Sequence, residues 1–117
     1  MNYKIYQIKD VENCPYSFRP FMMSKRLNFS LTDYEVVYEG TVDKLEFDEE
    51  NGNSIYRTLD YLFVLFNLNH PTDFRGHSMS VSDIIELDNE FYYVDSIGFE
   101  NITDCIWINK ERGKLKK

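Results

Sequence analysis

Residues 54–68 read SIYRTLDYLFVLFNL, and this stretch carries the clearest periodic signal in the chain. Its apolar residues recur at the spacing of one helix face, which predicts an amphipathic α-helix with Ser54 at its N-cap. The residues of that face are Ile55, Leu59, Leu62, Phe63 and Phe66. Tyr56, Val64 and Leu65 widen the apolar stripe. We therefore expect a helix that packs on a sheet and is covered on more than one side.

Sequence before this helix predicts two strands and a short helix. YKIYQI (3–8) alternates in the manner of a strand, and YEVVYEGTV (34–42) predicts a second strand that Gly40 bends or bulges near its end. Between them, PFMMSKRLN (20–28) favours a short helix begun by Pro20. The acidic DEENGN run (48–53) has no apolar anchor and is expected to be an exposed loop.

Sequence after the helix predicts a β-hairpin. VSDIIEL (81–87) and FYYVDSIGF (91–99) are strand-like, with a turn at Asp88-Asn89 and a kink at Gly98. ITDCIWI (102–108) is expected to form a further strand. The chain thus reads as an α+β domain, with a mainly antiparallel sheet and one principal amphipathic helix packed on it.

The size and composition fit one domain. The chain has 117 residues, of which 43% are hydrophobic and 16% aromatic, enough apolar material for a single core. We place that domain at residues 1–109 and a basic tail at 110–117. The sequence has neither an apolar run long enough for a bilayer nor a secretory signal, so a cytoplasmic protein with no membrane partner is predicted.

The formal net charge is −7, although KERGKLKK (110–117) holds five basic residues and one acid. Such an acidic body is repelled by nucleic acid, so no direct binding of duplex DNA is expected, and it is attracted to basic protein surfaces. The alternative is that the charge only keeps the protein soluble. If the charge serves binding, the candidate contact residues are the carboxylates Glu35, Glu39, Glu46, Asp48, Glu49 and Glu50.

The placement of these contacts can be predicted in part. Glu35 and Glu39 are expected to share one face of the second strand. Tyr92 and Tyr93 point to opposite faces of their strand, so one should lie in the core and the other serve as an exposed contact residue. Cys14 and Cys105 belong to no CxxC or Cys/His cluster, so we expect buried free thiols, no metal site and no cofactor.

The segment HPTDFRGHSMSVSD (70–83) gathers both histidines of the chain into one polar loop. In a catalytic interpretation His70 and His77 are general acid and base, and Arg75 stabilises a phosphate or transition state. Asp73 or Asp83 would orient a histidine. These are the parts that a metal-free ribonuclease needs.

The same loop has a structural interpretation, which is favoured because polar side chains at such junctions commonly bond to the backbone. His-Pro ends the preceding helix, and Gly76 permits a tight turn. The side chains that would satisfy open backbone amides are those of Asp73, Ser78, Ser80 and Asp83.

Three blocks carry a family resemblance: YEVVYEG (34–40), FNLNHPTDFRGHSMSVSD (66–83) and FYYVDSIGF (91–99). They resemble the YodL-like domain, found in proteins of conjugative elements, plasmids and phages. The resemblance implies a small α+β domain of a mobile element, with no settled activity or catalytic residues to carry over.

Some mobile-element proteins that are similar in size and acidity are anti-CRISPR inhibitors of type II-A Cas9. The resemblance therefore suggests an inhibitor that is not an enzyme, which binds Cas9 and blocks guide-RNA assembly. Two alternatives stay open. One is a nuclease or nuclease cofactor that uses His70, Arg75 and His77 to cut guide RNA, and the other is an accessory interaction module in plasmid transfer.

Overall fold

One five-stranded sheet organises the protein, and all of its neighbouring strands are antiparallel. The computed structural model describes residues 1–43 and 54–106. The strands, in the spatial order β2-β1-β3-β4-β5, are β1 Asn2–Ile8, β2 Tyr34–Thr41, β3 Ile84–Leu87, β4 Glu90–Val94 and β5 Phe99–Asn101. The helices are α1 Phe21–Arg26 and α2 Ser54–Leu68, and a 3-10 turn spans Leu31–Asp33. The predicted α+β class, with an antiparallel sheet and one main helix, is confirmed.

The long helix α2 covers one face of the sheet. Leu59, Leu62 and Phe66 are buried against Tyr3 and Ile5 of β1, as the helical spacing predicted. The opposite side of the helix is exposed, because Tyr61, Val64 and Leu68 remain open to solvent, whereas the ring of the partly exposed Tyr56 packs edge-on against Tyr92 of the sheet. The expectation that this helix is covered on more than one side was therefore wrong for the described residues, of which only the sheet layer packs on it.

A second core cluster covers much of the other face of the sheet. It consists of buried residues from several segments, namely Ile8, Tyr16, Phe21, Tyr34, Ile84, Phe91, Tyr93, Ile102 and Ile106. Cys14 and Cys105 are free thiols that are half-buried beside this cluster. Because both faces are packed, Tyr92 and Tyr93 are both buried, with 4% and 0% exposure. The prediction that one of them is an exposed contact was wrong.

A β-bulge at Val37 changes which residues of β2 share a face. Ile5 of β1 pairs with Tyr38 and Tyr6 pairs with Val36, which leaves Val37 as the extra residue. Gly40 is not the bulge; it pairs with Tyr3, whose ring lies close against it.

The bulge also corrects the predicted placement of two carboxylates. Glu39 pairs with Lys4, whereas Glu35 pairs with Gln7 on the opposite face of β1. Paired residues of antiparallel strands point to the same side of the sheet. Glu35 therefore lies on the α2 face and Glu39 on the other face, so the expectation that they share one face was wrong.

The predicted hairpin is present, with its turn at Asp88 and Asn89. Both residues have positive φ, 46° and 71°, as a two-residue turn that matches strand twist requires. The strand predicted over 91–99 is interrupted, however: β4 ends at Val94, and β5 begins at Phe99 after a turn in which the Asp95 N–H bonds to the Gly98 carbonyl at 3.0 Å. Gly98 has φ 70°, a conformation that ends a strand.

The strand predicted over 102–108 was wrong, because residues 103–106 form a helical turn. The acidic loop at 48–53, the N-cap side chain of Ser54 and the tail at 110–117 lie outside what the structure describes. Among the described residues, no helix is long and apolar enough to cross a membrane.

Candidate functional site

The polar loop at 70–83 is fastened to the central strand β1 through the side chain of Gln7. Gln7 is only 2% exposed, and its Nε2 donates to the His77 carbonyl at 2.8 Å and to Asp83 Oδ2 at 3.1 Å. Its Oε1 accepts the His77 N–H at 3.1 Å. A buried amide with donors and acceptors paired in this way holds the loop in one position.

Gly76 is required by the same contact. A Cβ atom on this residue would lie 2.2 Å from Gln7 Oε1 and 2.9 Å from a ring carbon of Phe74. No side chain fits in that space, so glycine permits the close approach between the loop and β1. Gly76 was predicted to permit a tight turn, and the structure adds this contact with Gln7.

Asp83 is the buried carboxylate of this junction, with 1% exposure. Burial raises its pKa to about 7, while the Ser80 N–H, His77 and Gln7 act in the opposite direction. Asp83 Oδ2 accepts the Ser80 N–H at 2.9 Å, so its side chain closes the turn before β3. This carboxyl group can therefore change its protonation near neutral pH.

Ser82 connects the loop to the second face of the sheet. It is buried with φ 85°, and its backbone N–H bonds to the Val94 carbonyl at 3.0 Å. Its carbonyl accepts the Tyr34 hydroxyl at 2.6 Å, and its hydroxyl oxygen accepts the Phe18 N–H at 3.0 Å. These bonds hold a backbone conformation that serine seldom adopts. We call Gln7, Gly76, Ser80, Ser82 and Asp83 the polar junction.

The candidate catalytic side chains lie outside this junction. His70, Arg75 and His77 are exposed, and among the described residues no hydrogen bond joins them to one another. His70 Nδ1 is 2.9 Å from the Pro71 carbonyl, and His77 Nδ1 is 2.7 Å from the Ser78 carbonyl. A carbonyl only accepts, so each bond places the proton on Nδ1.

Of the four side chains predicted to satisfy open backbone amides, only that of Asp83 does so within the described structure, and the prediction was wrong for the other three. Ser80 contributes its N–H to Asp83 and its hydroxyl to the Ser78 carbonyl at 3.1 Å. Ser78 takes part through its carbonyl, and its side chain is exposed. Asp73 is also exposed and makes no hydrogen bond within the described part of the chain.

A groove opens on the sheet face opposite α2, near the β3–β4 turn. Two adjoining cavities, of about 330 and 610 Å³, share Lys4, Glu86 and Asn89. Their remaining lining residues are Asn2, Tyr3, Glu39, Gly40 and Asp88 in the smaller, and Tyr6, Leu31, Phe91 and Ile106 in the larger. We call this continuous surface the acidic groove.

Among the described lining residues, three carboxylates and one amine set the charge of the acidic groove. Lys4 Nζ lies 3.8 Å from Glu39 Oε1 in an ion pair open to solvent, while Asp88 Oδ1 accepts the Asn2 N–H at 2.9 Å. Glu86 Oε1 accepts the Tyr6 hydroxyl at 2.6 Å. Burial, followed by this bond and the Glu86 charge, raises the pKa of Tyr6 well above its ordinary value. The described lining of the groove is therefore negative.

Glu86 and Asp88 were not predicted as contact residues, because they lie in a strand and a turn rather than in a polar cluster. The visible signal was the single acid Glu86 within the apolar run IIEL (84–87). Of the contact residues predicted, Glu39 lines the acidic groove and Glu35 lies across the sheet. Glu46, Asp48, Glu49 and Glu50 fall outside the described residues. No group of three potential metal ligands occurs in the described ranges.

Comparison with known proteins identifies one family. The YodL-like domain matches residues 2–104, which include every strand and both helices described above. No curated protein and no solved structure matches the sequence. The match extends over most of the 117 residues, so the chain belongs to the YodL-like domain family.

Proposed function

We propose that this protein is a mobile-element inhibitor of the host nuclease Cas9, which acts by binding Cas9 and blocking the assembly of its guide RNA. Membership of the YodL-like family supports a mobile-element origin through the resemblance described above. The step from family to target is an association, because one domain type serves different functions in different proteins.

The observation that carries the proposal is the acidic groove. Its carboxylates lie at the end of the sheet near the β3–β4 turn, and Lys4, the one cation among its described lining residues, is already beside Glu39. A surface that holds RNA presents lysine and arginine to phosphates. Carboxylates attract the same cations, so a negative groove on a small protein can compete with a guide RNA.

The polar loop supports binding over cleavage as the mode of action. General acid and base must both reach one reacting group. His70 and His77 instead each hold a neighbouring backbone carbonyl, and each lies against an aromatic ring, that of Phe74 or Phe18. The loop residues with the tightest contacts, Gly76 and Asp83, serve the attachment to β1.

Pull-down of Cas9 by the tagged protein, with and without guide RNA, tests this function. We expect recovery of Cas9 that lacks guide, reduced recovery when guide is bound first, and intact RNA on a denaturing gel. Cleaved guide RNA would favour the nuclease hypothesis. Failure to recover Cas9 in either state would favour an accessory module in plasmid transfer.

Salt and charge reversal test the electrostatic part of the proposal. The Debye length is about 8 Å at physiological ionic strength, so attraction between exposed charges weakens as salt rises. Asp88→Lys should slow association with Cas9 more than it speeds dissociation. If the association rate changes neither with salt concentration nor with Asp88→Lys, binding through the acidic groove would be contradicted.

A further inference from the structure

We propose that the acidic groove binds an arginine-bearing peptide segment of the partner protein, with the Glu86 carboxylate as the contact for the guanidinium group. The inference deepens the proposed function, on which it rests for the partner's basic character. It assigns a chemical class of ligand to a site that the sequence did not single out.

The shape of the groove suits an extended segment rather than a small molecule. The two cavities meet at Lys4, Glu86 and Asn89, so the groove runs from the β3–β4 turn along the sheet towards Leu31 and Ile106. Polar groups line the first part, and apolar side chains line much of the second. A peptide that crosses both parts would place the guanidinium group of an arginine side chain near Glu86. Apolar groups of the peptide would lie beyond it, in the second part of the groove.

Glu86 is held ready for such a contact. Its Oε1 accepts the Tyr6 hydroxyl, whereas Oε2 has no hydrogen-bond partner among the described residues. The side chain is half-buried, so its orientation is restrained by the strand and by Tyr6. A carboxylate fixed in this way loses little side-chain entropy when a cation binds, which favours affinity.

The surroundings of Glu86 favour arginine. The half-buried ring of Tyr6 lies beside it and is backed by the buried Phe91, with the two ring centroids 5.9 Å apart. A guanidinium group is planar, stacks on aromatic rings and donates several N–H groups to a carboxylate. The ammonium group of lysine is a compact, strongly hydrated charge that gains less from a neighbouring aromatic ring. Phosphate groups are disfavoured by Glu86, Asp88 and Glu39.

Fluorescence anisotropy of a labelled peptide of alternating arginine and serine, added to the full chain, tests the inference. We expect the arginine peptide to bind more tightly than its lysine counterpart, and the glutamate counterpart not to bind. Glu86→Gln should weaken arginine-peptide binding about tenfold, because a charged hydrogen-bond acceptor becomes neutral. The Gln carbonyl still accepts the Tyr6 hydroxyl, so this variant is expected to keep the fold.

Glu35→Gln is the matched control, since it makes the same change to an exposed carboxylate on the other face of the sheet. It should bind the arginine peptide within about twofold of the parent. Equal weakening by both substitutions, or none by Glu86→Gln, would overturn the assignment, because the attraction would then come from net charge alone.

The chain's own basic segment is the competing occupant. Lys114→Gln, Lys116→Gln and Lys117→Gln, combined in the full chain, should leave peptide affinity unchanged. An increase of about tenfold would show that this segment competes for the groove, and would overturn the proposal. Peptide binding that depends on Glu86, together with no recovery of Cas9, would sink the proposed target and leave the groove assignment standing.

Discussion

The Gln7–Asp83 contact of the polar junction and the acidic groove lie on opposite faces of the same sheet, and they use polar residues in opposite ways. In the junction, Gln7 and Asp83 are buried and bonded to the backbone of the loop. In the groove, Glu86 is half-buried with one oxygen unbonded within the described structure. The loop at 70–83, which is richest in catalytic residue types, is thus hydrogen-bonded to β1. The end of β3 that carries Glu86 lines the groove instead.

Gly76→Ala should lower the free energy of unfolding more than any other substitution considered, because it disrupts the polar junction. The new Cβ would stand 2.2 Å from Gln7 Oε1, so the loop or Gln7 must move and their hydrogen bonds are strained. We expect the free energy of unfolding to fall by about 3 kcal/mol, as for overpacking of a buried site. Urea denaturation followed by circular dichroism measures this change.

Gly98→Ala is the control for this substitution. Gly98 has φ 70°, and no atom lies within 4 Å of the position that a Cβ would take, so only backbone strain of about 1 kcal/mol is expected. If Gly76→Ala costs no more than Gly98→Ala, the contact between the loop and Gln7 does not stabilise the fold.

The pH dependence of stability should show a smaller effect from the same junction. The pKa of Asp83 is raised from 3.8 to about 7 in the folded protein, so between these values the folded state holds a proton that the unfolded state releases. The free energy of unfolding therefore falls as pH rises through this window, by about 2 kcal/mol from pH 5 to pH 7. Denaturation at the two pH values measures it.

Asp83→Asn should remove this part of the slope, because the amide does not titrate and its oxygen still accepts the Ser80 N–H. Glu86→Gln makes the same chemical change in the acidic groove and should alter the free energy of unfolding by less than about 1 kcal/mol at both pH values. An unchanged slope in Asp83→Asn would contradict the assignment of the titration to the junction.

The smallest effects are expected for the histidines. Both side chains are exposed, so His70→Ala and His77→Ala should each change the free energy of unfolding by less than about 1 kcal/mol. Recovery of Cas9 should equal that of the parent, and guide RNA should stay intact. If the parent cleaves RNA and a histidine variant of equal stability does not, the loop at 70–83 would be the functional site and RNA cleavage would be assigned to it.

Much of the fold follows from local patterns in the sequence. The alternation in β1, the helical spacing of Leu59, Leu62 and Phe66, and the Asp88-Asn89 turn each lie within one element, so their periods are visible in one short stretch. The end of β4 shows the limit of such patterns. Its β-rich sequence continues to Phe99, but the turn at Gly98 divides it in two.

The candidate site could be predicted only in part. The loop and its residues Gly76, Ser80 and Asp83 were singled out, since polar residues and glycine cluster there in the sequence. Gln7 was not, because its partners are far along the chain and nothing in YKIYQI indicates that a glutamine is buried. Glu86 was missed for the related reason that the groove forms only when β1, β3 and β4 pair.

The α+β class, the long helix, the first two strands and the hairpin turn follow from the amino-acid sequence alone, as does the acidic net charge, since these depend on residue type and on periodicity within an element. Tertiary structure decided the rest. The bulge at Val37 separated Glu35 from Glu39, and packing on both faces buried Tyr92 and Tyr93 together. Whether a carboxylate is buried and hydrogen-bonded inside the protein or remains exposed depends on contacts between segments that are distant in sequence. Periodicity within one short segment does not show those contacts.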